Sequence, residues 1–139
     1  MISADTPSLA ARIDAITRFL PALEGPDAGG EWVGGGERDD GAYVMPRFAH
    51  SEVTDEFVQA CYDNEWVVPF DWMGWHGIAE EYYPDSLLLS RARVATLARL
   101  FTAQIRCDRF VDGQLAGAIE SGHIAAILRR LVAIRERLR

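Results

Sequence analysis

The helical stripe that leads into Asp108 constrains the fold more than any other feature of the sequence. Four apolar residues recur at helical spacing on one face: Val94, Leu97, Phe101 and Ile105. The next position on that face is Asp108, so its carboxylate is aimed toward the core. Because an unpaired buried carboxylate would cost several kcal/mol, we expect either a charged partner or a helix end before Asp108. Arg106 and Arg109 are the candidate partners nearby.

Two helix starts follow Asp108 along the chain. Asp112 is positioned to cap a short helix, and Ser121 to cap the final helix with Gly122 at its first position. The final helix has one apolar side, formed by Ile124, Ile127, Leu128, Leu131, Ile134 and Leu138. This stripe is long enough to serve either the core or a second copy of the chain. A homodimer through the final helix is therefore one prediction.

His123 falls in the first turn of the final helix. The helix dipole disfavours a protonated imidazole at that position. A neutral ring beside free backbone N–H groups, with Arg106 and Arg109 nearby, would suit a phosphate or carboxylate group. The alternative is a histidine that only forms hydrogen bonds at a helix start.

The first fifty residues predict one helix and one hairpin. Apolar periodicity indicates a helix over residues 8–23, capped by Thr6, loosened at Pro21 and ended at Pro26. The Asp39–Asp40–Gly41 turn signal lies between the stretches EWVGG and AYVMP. This pattern predicts two short antiparallel strands.

The segment from Trp66 to Gly77 is dense in aromatic residues and holds three of the four tryptophans. One interpretation is functional: Trp72, Trp75 and His76 would stack on a base, sugar or aromatic ligand, with Asp71 as a polar partner. The other is structural: the rings would form a core plug that fills space under a loop. Asp71 is also suited to cap a short helix.

Charge is distributed unevenly along the chain. All 14 basic residues are arginines; residues 1–89 carry 4 of them against 17 acids, a net −13, whereas residues 90–139 carry 10 against 4, a net +6. We expect the acidic part to pack against an arginine-rich helix pair. The acids would also repel a phosphate backbone, so nucleic-acid binding ranks third among the functions considered.

Cysteine spacing and hydropathy exclude several classes of protein. Cys61 and Cys107 form no CxxC or Cys/His pattern, so the sequence indicates no disulfide framework, metal site or cofactor. No apolar run reaches 18 residues and no basic leader precedes a hydrophobic region, so we expect no membrane span and a cytoplasmic location.

The stretch IRCDRFVDGQLAGAIESGHIAAILRRL at 105–131, together with VVPFDW at 67–72, resembles an uncharacterised bacterial and archaeal family, a domain of unknown function. The likeness covers about residues 30–133. It implies a signature of Arg-x-Asp-Arg-Phe, a glycine, and Gly-x-Ile-x-x-Ile-Leu. The matching residues are Arg106, Asp108, Arg109, Phe110, Gly113, Gly122, Ile124, Ile127 and Leu128. The resemblance implies variation at Cys107 and Gln114 and no particular activity.

These patterns predict a single, mainly α domain over residues 1–139, of the α+β class. We expect a compact bundle of about five helices with one small β-hairpin. The first-ranked function is a small binding or interaction module for an anionic small molecule or a peptide carboxylate. The alternative is an enzyme that uses Asp and His as acid and base, although the sequence lacks the usual catalytic motifs. The candidate ligand-binding residues are Arg106, Asp108, Arg109, His123, Asp71 and Trp72.

Overall fold

The computed structural model describes residues 7–25 and 28–138. Within these residues the helices are α1 (Leu9–Thr17), α2 (Leu20–Leu23), α3 (Glu52–Asp63), α4 (His76–Ala79), α5 (Leu87–Ser90), α6 (Val94–Asp108), α7 (Gln114–Glu120) and α8 (His123–Arg137). The strands are β1 (Gly30–Val33), β2 (Gly36–Glu37), β3 (Tyr43–Val44) and β4 (Arg47–His50). Five of the helices are longer than a single turn, so the predicted mainly α bundle with a small hairpin is confirmed.

The four strands form one hairpin with a single register. Gly30 lies opposite His50 in the β1–β4 ladder, and Glu37 lies opposite Tyr43 in the β2–β3 ladder, seven residues further in on each side. Pro46 lies in the gap between the ladders, where it has no N–H to donate. The turn is closed by Arg38 N, which donates to Ala42 O at 2.7 Å. The predicted hairpin is confirmed, and its pairing extends further, to β4.

The predicted helix over residues 8–23 is divided into α1 and α2. Pro21 lies at the start of α2, because a proline cannot donate to the carbonyl four residues earlier and its ring crowds that carbonyl. The predicted cap Thr6 and the predicted end Pro26 lie outside the described residues. Ser8 caps α1, its Oγ accepting from Ala11 N at 3.1 Å.

Helix α8 lies at the centre of the core. Its apolar stripe is fully buried at Ile124, Ile127, Leu128 and Leu131, and it packs against α1, α2, α5, α6 and α7. Arg129 pairs with Glu24, and Arg135 Nε lies 3.0 Å from Asp14 Oδ1. These exposed pairs follow the predicted attraction between the two parts of the chain, but each contributes at most about 1 kcal/mol. Burial of the stripe therefore dominates.

The aromatic segment is divided between core and surface. Trp66 is fully buried, and its Nε1 donates to Arg12 O at 2.9 Å. Trp75 is half-buried and contacts Phe70 edge to face, with ring centroids 5.4 Å apart. Trp72 lies further out, stacked on Phe110 at 5.9 Å. The plug interpretation therefore describes Trp66 and Trp75, whereas Trp72 lines a cleft.

Candidate functional site

The inward-facing carboxylate of Asp108 joins three elements. Asp108 is the last residue of α6, and its side chain is 11% exposed. Its Oδ2 lies 2.7 Å from His50 Nε2 on β4, and its Oδ1 accepts from Leu115 N in α7 at 3.0 Å. Asp108 therefore has partners, but they are the His50 ring and the backbone N–H of Leu115 at the start of α7, and not an arginine. The expected partners are elsewhere: Arg106 is half-buried and Arg109 is exposed.

A second carboxylate holds the hairpin beside the first. Asp112 Oδ2 accepts from Phe48 N at 2.8 Å, so Asp112 binds β4 and Asp108 takes its predicted place as the side chain that caps α7. Gly113 follows with φ of +85°, and a Cβ there would lie 3.1 Å from the Trp32 ring. We call His50, Asp108 and Asp112 the hairpin clamp.

His50 has a carboxylate beside each nitrogen of its ring. Nε2 faces Asp108, and Nδ1 lies 3.4 Å from Asp55 Oδ1. Sequence reasoning missed His50 because it is isolated in sequence; only the hairpin register brings the end of β4 to the end of α6. Both nitrogens are occupied, so this histidine fixes the hairpin.

On the other side of α7 lies a cleft of about 520 Å³, which we call the His123 cleft. It separates the 72–84 segment from α6 and from the first residues of α7 and α8. Its aromatic side chains are Trp72, Tyr82 and Tyr83. Its polar and sulfur-containing side chains are Met73, His76, Glu80, Gln104, Cys107, Gln114, Ser121 and His123. The volume is in the range of small-molecule sites.

His123 is the first residue of α8, directly after Gly122, which has φ of +84° and occupies the N-cap position predicted for Ser121. Its Nδ1 lies 3.5 Å from Gln104 Nε2, and Gln104 Oε1 accepts from Gln114 Nε2 at 3.1 Å. Its Nε2 is buried and has no hydrogen-bond partner among the described residues. Burial lowers the pKa of His123, and a smaller, opposing effect comes from the Tyr82 backbone, which lies close enough to interact with the ring but makes no hydrogen bond to Nε2 of ordinary distance and angle. The ring is therefore held toward its neutral form.

The six predicted site residues do not converge on one place. Trp72 and His123 line the cleft, whereas Asp108 belongs to the hairpin clamp. Asp71 Oδ1 accepts from Gly74 N at 3.0 Å and closes a local turn. Arg109 Nη2 donates to Tyr62 Oη at 3.3 Å. Neither Arg106 nor Arg109 is among the residues that line the cleft.

The polar groups that sequence reasoning passed over are Gln104, Gln114 and Cys107. Amide side chains carry no charge and belong to no catalytic motif, so they gave no signal beside the arginines. Gln104 could have been found only from its position one turn before Asp108 on α6, facing the start of α8. Its role depends on contacts between elements.

Two absences among the described residues bear on the class of site. No group of three or more His, Cys, Asp or Glu side chains in residues 7–25 and 28–138 is arranged to hold a metal ion. None of the helices in this part of the chain combines the length and the apolar character needed to cross a bilayer.

Comparison with known proteins gives a family and no activity. The model of a family of unknown function, DUF6508, matches residues 8–137. The chain belongs to the DUF6508 family. The match extends beyond the 30–133 of the sequence resemblance and includes all of α1 and α8, so the DUF6508 unit contains the whole core described above. No curated protein and no solved structure matches the chain.

Proposed function

We propose that this protein is a small binding module and that its ligand occupies the His123 cleft. The observation that carries the proposal is the buried Nε2 of His123, which has no partner among the described residues beside an aromatic-walled cleft of about 520 Å³. A buried polar atom without a hydrogen bond costs about 1–3 kcal/mol. Such an atom in a native fold calls for an explanation, and a ligand that bonds to it is one.

The composition of the cleft supports binding over acid–base chemistry. The polar groups beside His123 are two amides and a hydroxyl, Gln104, Gln114 and Ser121, whereas the titratable pair of His76 and Glu80 lies at the exposed side of the cleft. Amides and hydroxyls orient a ligand but exchange no protons at neutral pH. The enzyme alternative stays a prediction, as does the nucleic-acid one.

The chain contains its own reporter for this proposal. Cys107 lines the cleft, whereas Cys61 is fully buried and burial raises its thiol pKa well above the ordinary value. Iodoacetamide should therefore modify Cys107 and spare Cys61 in the native protein. A ligand in the cleft should slow that modification.

The experiment measures the rate of Cys107 alkylation by intact mass spectrometry with nicotinamide, imidazole, acetate or tetramethylammonium present. At least one probe should slow Cys107 and leave the alkylation of free glutathione unchanged. The protection should be lost in His123→Ala and kept in Asp39→Ala, a change at the exposed hairpin tip. Equal rates with every probe would contradict the proposal.

We propose that the Arg106–Phe110 and Gly122–Leu128 motifs mark the family, that its members are bacterial and archaeal, and that this protein acts in the cytoplasm as a single domain. A homodimer through α8 is a further proposal, although four residues of its stripe are already fully buried within the chain. Sedimentation at several concentrations tests the dimer; a strictly monomeric species would reject it.

A further inference from the structure

We propose that the ligand of the His123 cleft presents a flat, uncharged group with an adjacent hydrogen-bond donor and acceptor, such as a carboxamide on an aromatic ring or the edge of a nitrogen heterocycle. This inference rests on the proposed function and names the class of ligand. It departs from the anionic ligand expected from the sequence, because the arginines behind that expectation do not line the cleft.

The charges near the cleft lie at its exposed side and face each other. His76 Nε2 is 3.1 Å from Glu80 Oε1, and the two side chains are 77% and 69% exposed. Around His123 the polar groups are uncharged. A charged ligand group placed there would lose its hydration without gaining an opposite charge, at a cost of several kcal/mol. The electrostatics therefore favour an uncharged group.

The amides leave unused hydrogen-bonding capacity beside His123. Gln104 directs one N–H at His123 Nδ1 and accepts from Gln114 through Oε1, so its second N–H is unassigned. Gln114 keeps its carbonyl oxygen and its other N–H. When Nδ1 accepts, the neutral imidazole carries its proton on Nε2. The site offers donors and an acceptor together, which match an amide.

The walls of the cleft are flat. Trp72 is stacked on Phe110 with 30° between the rings, and Tyr82 is stacked on Trp75 with 28° between them. Rings that are held by a second ring provide rigid surfaces, and aromatic pairs favour offset-stacked or edge-to-face arrangements. A planar ligand would contact Trp72 or Tyr82 face to face without disturbing either pair.

The test uses three pyridines that share a ring and differ only in the group at position three: nicotinamide, nicotinate and 3-(aminomethyl)pyridine. Binding is followed by ¹H–¹⁵N correlation NMR of the full chain, through the side-chain amides of Gln104 and Gln114 and the indole of Trp72. We expect nicotinamide to bind at least about tenfold more tightly than the anion or the cation. Gln104→Leu should remove that preference, whereas Gln59→Leu, a change of an exposed amide on α3, should keep it.

The outcomes separate this inference from the proposed function. If nicotinate or the aminomethyl compound binds as tightly as nicotinamide, the ligand class is wrong and the binding cleft stands. If none of the three binds and no probe protects Cys107, both fail. If Gln104→Leu does not fold, as judged by spectral dispersion, His123→Asn replaces it, and the same loss of preference is expected.

Discussion

Two histidines on opposite sides of α7 have opposite surroundings. His50 in the hairpin clamp has a carboxylate against each ring nitrogen, Asp108 at 2.7 Å and Asp55 at 3.4 Å. His123 in the cleft has one weak contact with Gln104 at 3.5 Å and one buried nitrogen without a partner among the described residues. Each ring nitrogen of His50 therefore lies beside a carboxylate, whereas Nε2 of His123 has no hydrogen-bond partner among the described residues.

Under the proposed function, His50 holds the fold together, whereas His123 binds the ligand. A histidine with a carboxylate beside each ring nitrogen holds elements of the fold together. A histidine with an unsatisfied buried nitrogen carries a free-energy cost in the fold, which a bound group would offset. The conspicuous charged motif around Asp108 therefore fixes the hairpin, while the inconspicuous glutamines face the cleft.

Asp108→Ala should have the largest effect, because it removes the carboxylate that serves both His50 and the first turn of α7. We expect a loss of about 3 kcal/mol in the free energy of unfolding, measured by urea denaturation. Asp39→Ala, at the exposed hairpin tip, should stay within about 0.5 kcal/mol of wild type. An Asp108→Ala protein as stable as the control would show that the hairpin clamp does not stabilise the fold.

Gly113 and Gly122 have the same backbone conformation, but only Gly113 lies against the hairpin, so a comparison of the two measures that contact. Gly113 and Gly122 have φ of +85° and +84°, so alanine at either costs about 1 kcal/mol for the left-handed backbone alone. A Cβ at Gly113 also meets the Trp32 ring at 3.1 Å, whereas none of the described atoms lies within 4 Å of one at Gly122. Thermal unfolding should show Gly113→Ala as the less stable variant. Equal melting temperatures would mean that the Trp32 ring moves away from the added Cβ at no measurable cost, and would contradict a close contact between Gly113 and the hairpin.

The local features of the fold followed from the sequence, and the partners across the fold did not. The stripe from Val94 to Asp108 and the Asp39–Gly41 turn depend on spacing within one element, and both were predicted correctly. The partner of Asp108 is His50, 58 residues earlier, and only the hairpin register brings them together.

The helix starts show a second physical reason for the errors. The sequence suggested Asp112 and Ser121 as caps because their side chains accept hydrogen bonds from N–H groups. Left-handed glycines, Gly113 and Gly122, occupy those N-cap positions instead, because the chain must reverse sharply between α6, α7 and α8. Ser121 Oγ then donates to Ala118 O at 3.2 Å. The sequence identified side chains that are able to cap a helix, but the left-handed backbone at Gly113 and Gly122 determined where each helix begins.

The stability of the fold should depend on pH through His123. Burial lowers the pKa of the folded imidazole below its ordinary 6.5, so on acidification the unfolded chain binds this proton first. Stability is therefore lost as the pH falls from the ordinary value through the lowered one. Urea unfolding between pH 7 and about pH 5 should show a smaller loss in His123→Gln than in wild type. Gln59→Leu, a change of an exposed amide on α3 outside the cleft, should keep the wild-type pH dependence; identical slopes in all three proteins would contradict the burial argument.

The comparison of the two rings is tested most directly by ¹⁵N NMR of the histidine side chains while nicotinamide is added. We expect the NMR signals of the His123 ring nitrogens and of the Gln104 side-chain amide to shift. The signals of the His50 ring nitrogens, which lie between two carboxylates, should not change. A titration in which His50 shifts and His123 does not would show that the ligand binds on the other side of α7, and would contradict the account.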